Sequence, residues 1–250
     1  MAKGGSRTGG RGRSPQGKRP GAASGSAPKA KTAGPRRPQP SPGPSPTPPE
    51  AAMPATFTLG AIPGATPGKW IDTWNERMPR TALRLVPLAV ADQRRALSEA
   101  EVDAALVRLP IDKDGLHVIP LYDEVPVVVC AKDSHLTAAD ELDAADLVGE
   151  VLIVPGDDVL GIRLAGTVAP RFAPPDETAD AIATVAAGVG IVVVPMSLAR
   201  LHQRKDVEYR PLREGPVSTV GLAWRADRPG PAVEAFVGIV RGRTANSSRG

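Results

Sequence analysis

Aromatic side chains are scarce in this chain, only 3% of 250 residues, and cysteine occurs once. The first shortage means that a core must be built mainly from Val, Leu, Ile and Ala, in a sequence that is 41% hydrophobic. The second, Cys130 alone, excludes an intrachain disulfide framework and fits a reducing compartment. Histidine is scarce too. His117, His135 and His202 fall in separate segments with no second ligand three or four positions on, so the usual zinc spacings are missing and neither a metal nor another cofactor is implied. No run of about 18 apolar residues occurs, and the N-terminus MAKGGSRTGGRGRSPQ has charge without an apolar h-region. The expectation is a cytoplasmic protein with no membrane segment. There is no Ser/His/Asp set, no placed carboxylate pair and no nucleophile elbow, so catalysis is not expected.

Acidic residues are nearly absent from one part of the chain. Residues 1–54 hold ten Lys/Arg and one acid, Glu50, together with ten Gly and twelve Pro, while the remaining 196 residues hold 21 basic and 26 acidic side chains. The net charge of +4 therefore combines a tail of +9 with a body of −5. Such a tail offers almost nothing apolar to offset the entropy of ordering and reads as disordered, with a flexible Gly/Ser/Lys/Arg half and a stiffer polyproline-type spacer over 35–49.

From Phe57 onward strands alternate with helices, which argues for parallel sheets with crossover connections. Residues 57–62 read as a strand, and Pro63-Gly64-Ala65 as a turn. Thr66 reads as the N-cap before Pro67 at the first helical position. In that helix Trp70, Trp74 and Met78 recur every four residues as one apolar face, ending near Pro79. Further strands are expected at 82–86, 102–107, 116–121, 125–131, 151–154, 190–194, 207–212 and 218–224. The run at 102–107 should be buried on both faces. Helices are expected at 91–100, 143–148, 177–187, 197–203 and 231–240, the third closed by Gly188. Residues 155–175 carry no clear pattern, and no internal repeat is evident.

Four stretches carry a family resemblance: FTLGAIPGATPGKWIDTWNERMP, VDAALVRLPIDKDGLHVIPLYDEVPVVVCAKDSHL, TADAIATVAAGVGIVVVPMSLARL and VGLAWRADRPGPAVEAFVGIVRGR. In this order they resemble the effector-binding (substrate-binding) domain of LysR-type transcriptional regulators. That resemblance implies the α/β, two-lobed fold of the type 2 periplasmic binding proteins, over residues 55–243, between the basic tail and a flexible C-terminus at 244–250. It implies a first lobe of about 57–124 plus 225–240 and a second of about 125–224. The two crossing hinge strands would be 125–131 and 218–224, side by side, with a ligand in the cleft between the lobes. The family's winged helix-turn-helix and linker helix are not seen ahead of the domain, and 155–175 is shorter than the family pattern.

The resemblance places Pro63, Gly64, Ala65 and Thr66 at the cleft, where free amides at a helix start attract anions with about 0.3 to 1 kcal/mol; an ordinary capped turn is the plainer account. Thr178 is the corresponding residue of the second lobe, as a ligand contact or simply an N-cap. Arg108, ending the strand at 102–107, would clamp a carboxylate in bidentate fashion or form a surface ion pair. Gly188-Val189-Gly190 follows a helix and precedes a strand, the reverse of a phosphate-binding loop. Cys130 reads as buried and inert. Asp157 and Asp158 read as a solvated loop rather than a cation site. In the tail, Gly10-Arg11-Gly12-Arg13 resembles a minor-groove hook but has Ser14 where that motif has proline.

The reading that follows is a non-enzymatic sensor of a small, anionic effector, acting as a homodimer or with a partner regulator. The alternative is a nucleic-acid-associated protein working through residues 1–54, whose nonspecific affinity would fall by roughly 0.9 log units per log of salt for each phosphate contact. A solute-binding component of a transporter is disfavoured by the expected lack of an export signal.

Overall fold

The computed structural model describes residues 52–227 and 229–242. The expectations for residues 1–51 of the tail and for 244–250 lie outside the described residues. No described helix is long and apolar enough to cross a membrane.

Two sheets organise the described chain. The first contains β1 (Thr56–Ala61), β2 (Ala82–Pro87), β3 (Ala104–Arg108), β4 (Leu116–Glu124) and β9 (Ser218–Arg225), in the order β2-β1-β3-β9-β4. The second contains β5 (Pro126–Ala131), β6 (Leu152–Ile153), β7 (Ile191–Pro195) and β8 (Val207–Pro211), in the order β6-β7-β5-β8. β1 runs parallel to β2 and β3, and β6 parallel to β7, while β9 is antiparallel to both of its neighbours. Parallel strands joined by crossovers need cover on both faces, and the sequence supplies it.

On one face of the first sheet lie α1 (Gly68–Arg77) and α5 (Pro231–Val240); on the other lies α2 (Gln93–Ser98). The few aromatics are concentrated here. Phe57 stacks on Trp74 with ring centroids 4.8 Å apart and meets Phe236 at 5.2 Å, and the Trp74 indole donates to the Thr81 carbonyl at 2.9 Å. The four-residue repeat in α1 is thereby explained: Trp74 is fully buried, with Trp70 and Met78 packed against the same cluster. The second sheet is covered by α3 (Thr178–Ala186) and α4 (Met196–Leu201) on one face, and on the other by Leu136 and Leu147 from short single-turn segments and by Leu142, which lies between them and bridges to Leu212. The expected helix at 143–148 is one such turn, Ala144–Leu147.

Three local expectations need correction. α1 begins one residue later than expected: Pro67 is its N-cap, no side chain caps it, and Thr66 lies outside the helix, exposed. The strand at 218–224 does not lie beside 125–131. It pairs with β3 and β4 in the first sheet, Glu124 opposite Ser218, whereas β5 pairs with β7 and β8 in the second. The first sheet therefore reclaims the chain at Ser218, seven residues before the expected boundary at 225. The two sheets are joined by two short crossings, around Val125 and over residues 212–217, and not by two long shared strands. The cause is register: paired with β3 and β4, β9 places Leu222 and Trp224 in the core beneath α1 and α5 and buries Val220 as well.

Phe236 is fully buried against Phe57 and Trp74. Phe236→Ala is expected to lower unfolding free energy by about 3–5 kcal/mol, read as a drop in the urea midpoint at unchanged slope.

Candidate functional site at the lobe junction

The carboxyl ends of β1, β2 and β3 point the same way because the three strands are parallel. Ligands of open α/β sheets collect outside such ends. The segments leaving them are Pro63 after β1, Leu88–Ala91 after β2, and Leu109-Pro110 after β3, and all of them line one cleft of about 750 Å³. The opposite wall comes from the second lobe by the same rule. Gly156 to Val159 follow β6, Leu198 and Leu201 belong to α4 after β7, and Glu177 and Ala179 belong to the start of α3. Most of this surface is apolar. Its polar groups are Gln93, Arg108, Asp157, Asp158, Glu177 and His202.

Arg108 occupies the junction and is almost fully buried. Its Nη1 donates to Glu124 Oε2 at 3.0 Å and to Ser218 Oγ at 2.6 Å, and Nη2 reaches the Pro63 carbonyl at 3.5 Å. The ion pair expected on the surface is therefore a buried one, and the carboxylate that Arg108 holds belongs to its own chain. Glu124 Oε2 also accepts from Ser197 Oγ at 2.8 Å, so the pair reaches from β4 of the first lobe to α4 of the second. Gln93 locks the backbone beneath it, donating to the Arg108 carbonyl and accepting from the Arg108 amide, each at 2.9 Å. Arg108 Nε is buried without a hydrogen-bond partner.

Pro63, Gly64, Ala65 and Thr66 are split by this junction. Pro63 lines the main cleft. Gly64, Ala65 and Thr66 line a second hollow of about 550 Å³ on the other side, with Tyr122, Asp123, Glu124, Val125, Met196, Ser197 and Arg200. Leu201 touches both. Gly64 has φ +84°, and a Cβ there would run into Ser197 Oγ, so glycine permits both the turn and the close approach of the lobes. In the second hollow the Tyr122 phenol is pushed above its ordinary value, by burial first and by the Glu124 carboxylate second.

Thr178 is the first residue of α3 and not its N-cap, which is Glu177. It is buried, and its hydroxyl donates to Asp157 Oδ1 at 2.8 Å. The wall of the cleft is thus Asp157, held from behind by Thr178. Asp158 accepts from the Leu160 and Gly161 amides at 2.9 and 3.0 Å. Cys130 lies buried in β5, and burial pushes its thiol up. Among the described residues no group of His, Cys, Asp and Glu could hold a metal ion.

Sequence reasoning missed Glu124, Ser197, Gln93 and the segment Pro87 to Ala91. The last was findable, since it follows a parallel strand; the others were not, because their partners stand far away in the chain.

Comparison with known proteins decides the family. A model described as the LysR substrate binding domain matches residues 53–245. The chain belongs to that family. Among curated relatives of this LysR domain, the Hca operon transcriptional activator HcaR of Escherichia coli is 28% identical over 205 residues, 76% of this chain and 68% of the relative. The HTH-type transcriptional regulator BudR of Raoultella terrigena is 30% identical over 175 residues, 66% of this chain and 60% of the relative. The chain thus spans roughly two thirds or less of the length of these regulators. Solved structures show the same fold. The oxidized form of OxyR superposes with a TM-score of 0.62 at 23% identity, covering 78% of this chain and 99% of that one. The BenM effector binding domain with its effector benzoate gives 0.62 at 20%, covering 75% and 90%. The family's two-lobed α/β architecture is thus the architecture of this LysR domain.

Removing one partner of a buried ion pair strands the other charge, whereas replacing both by packed apolar groups does not. Arg108→Met in this LysR domain is expected to cost about 3–5 kcal/mol, and the double variant Arg108→Met, Glu124→Met to regain most of it, as measured by urea unfolding of the set.

Proposed function

We propose that the LysR domain of this chain is the ligand-sensing module of a transcription regulator, binding a small molecule in the main cleft and acting without catalysis. The observation that carries this reading is the cleft itself, walled on both sides by segments leaving the carboxyl ends of parallel strands in two lobes. A ligand there touches both lobes at once, so its affinity depends on how the lobes are set. The crossings are short, and the polar link from Arg108 through Glu124 to Ser197 runs beside the cleft. Ligand binding therefore biases lobe closure, and closure is passed to an assembled partner, a second copy or another regulator. Relatives named as transcriptional regulators support that context and a cytoplasmic location. Complete switching from 1:99 to 99:1 needs a ligand preferring one state by about 5.5 kcal/mol.

Leu198→Trp enlarges a side chain that α4 contributes to the cleft lining. A ligand found by thermal-shift screening on the wild-type chain is expected to raise its melting temperature and to lose that effect in Leu198→Trp. A stabilising ligand whose effect survives in Leu198→Trp would place the sensing site elsewhere.

A further inference from the structure

We propose that the ligand of the main cleft carries a protonated amine, bound by Asp157 and Glu177 on the second lobe, and a hydrogen-bond acceptor oxygen directed at Arg108 on the first. This rests on the cleft being the ligand site. Three carboxylates line it, Asp157, Asp158 and Glu177. The only Lys or Arg side chain lining it is Arg108, whose charge is already met by Glu124 at 3.0 Å. The wall of the second lobe is therefore net negative and repels the simple anion expected from the sequence.

The three acids are not equivalent. Asp158 is engaged by two backbone amides, an arrangement that organises its own loop. Asp157 is held through Oδ1 by the buried Thr178 hydroxyl, which leaves Oδ2 to face a ligand. Glu177 is exposed, and its side chain does not cap α3. Two carboxylates flanking an apolar pocket suit an ammonium group, whose donors make charge-assisted hydrogen bonds to both.

An independent feature lies on the opposite wall. Arg108 is 3% exposed, lines the cleft, and keeps a buried Nε with no partner, while its Nη2 has only the 3.5 Å contact to Pro63. Nε itself is sealed from solvent, so an acceptor oxygen entering from the cleft meets Nη2, whose one long contact leaves it poorly satisfied. The rest of the lining is largely apolar, from Leu88, Val90, Leu109, Val159 and Leu198. The ligand class is a small amino acid or amino amide with an apolar side chain.

The test uses the full chain and isothermal titration with apolar L-amino acids and their amides, each beside its N-acetyl derivative and its deaminated acid: L-phenylalanine against 3-phenylpropanoate, L-leucine against 4-methylpentanoate. At least one free amine is expected to bind, with affinity at least about tenfold above both of its counterparts. Asp157→Asn keeps the acceptor for Thr178 and removes the charge, and Glu177→Gln does the same at the exposed position. Each is expected to weaken amine binding about tenfold or more, at an unfolding midpoint close to wild type. Equal or tighter binding of a deaminated acid, indifference to both variants, or silence across every free amine overturns the proposal. Leu198→Trp separates the two levels. If deaminated acids bind and Leu198→Trp abolishes them, the amine assignment falls while the cleft remains the site; if binding persists in Leu198→Trp, the cleft reading falls with it.

Discussion

The buried pair between Arg108 and Glu124 is the constraint on which the arrangement of the lobes depends. Glu124 is the last residue of β4, directly before the first crossing, and Ser218 is the first residue of β9, directly after the second; the two face each other in register. Arg108 bonds both, from the end of the strand lying on the other side of β9. One guanidinium thus fixes the place where the chain leaves the first lobe and the place where it returns. Desolvating two charges costs several kcal/mol per ion in a real protein, and close geometry with further hydrogen bonds offsets that cost. Ser218 and Ser197 supply those bonds, and Ser197 extends the network to the second lobe.

With the crossings pinned, the rest follows from parallel pairing. Both lobes aim the carboxyl ends of their parallel strands at the junction, and the loops leaving those ends become the two walls of the cleft. The Arg108 network stands between this cleft and the smaller hollow that holds Gly64 to Thr66. A molecule in either space would lie near the same ion pair.

The two walls differ in chemistry. The first lobe contributes apolar loops and a neutralised cation with one unmet donor; the second contributes carboxylates at and before the start of α3. The shared fold accounts for where the cleft lies, and the charged side chains on its walls are Arg108, Asp157, Asp158 and Glu177.

The sequence by itself determined the order and type of the elements, because these arise from local pattern. The repeat of Trp70, Trp74 and Met78 marks a helix with one buried face, and the unbroken apolar run of β7 marks a strand covered on both sides. The four stretches that resemble the LysR effector-binding domain made its two-lobed class legible, and Arg108 was singled out as the polar group ending a buried strand. Only the tertiary structure decided which strand lies beside which, whose carboxylate Arg108 holds, and that Thr178 braces Asp157 instead of lining the cleft. Those partners stand 16, 21 and 110 residues apart. Contacts at such separations are set by strand register and sheet order, which bury apolar surface collectively and leave no periodic trace at either end of the pair.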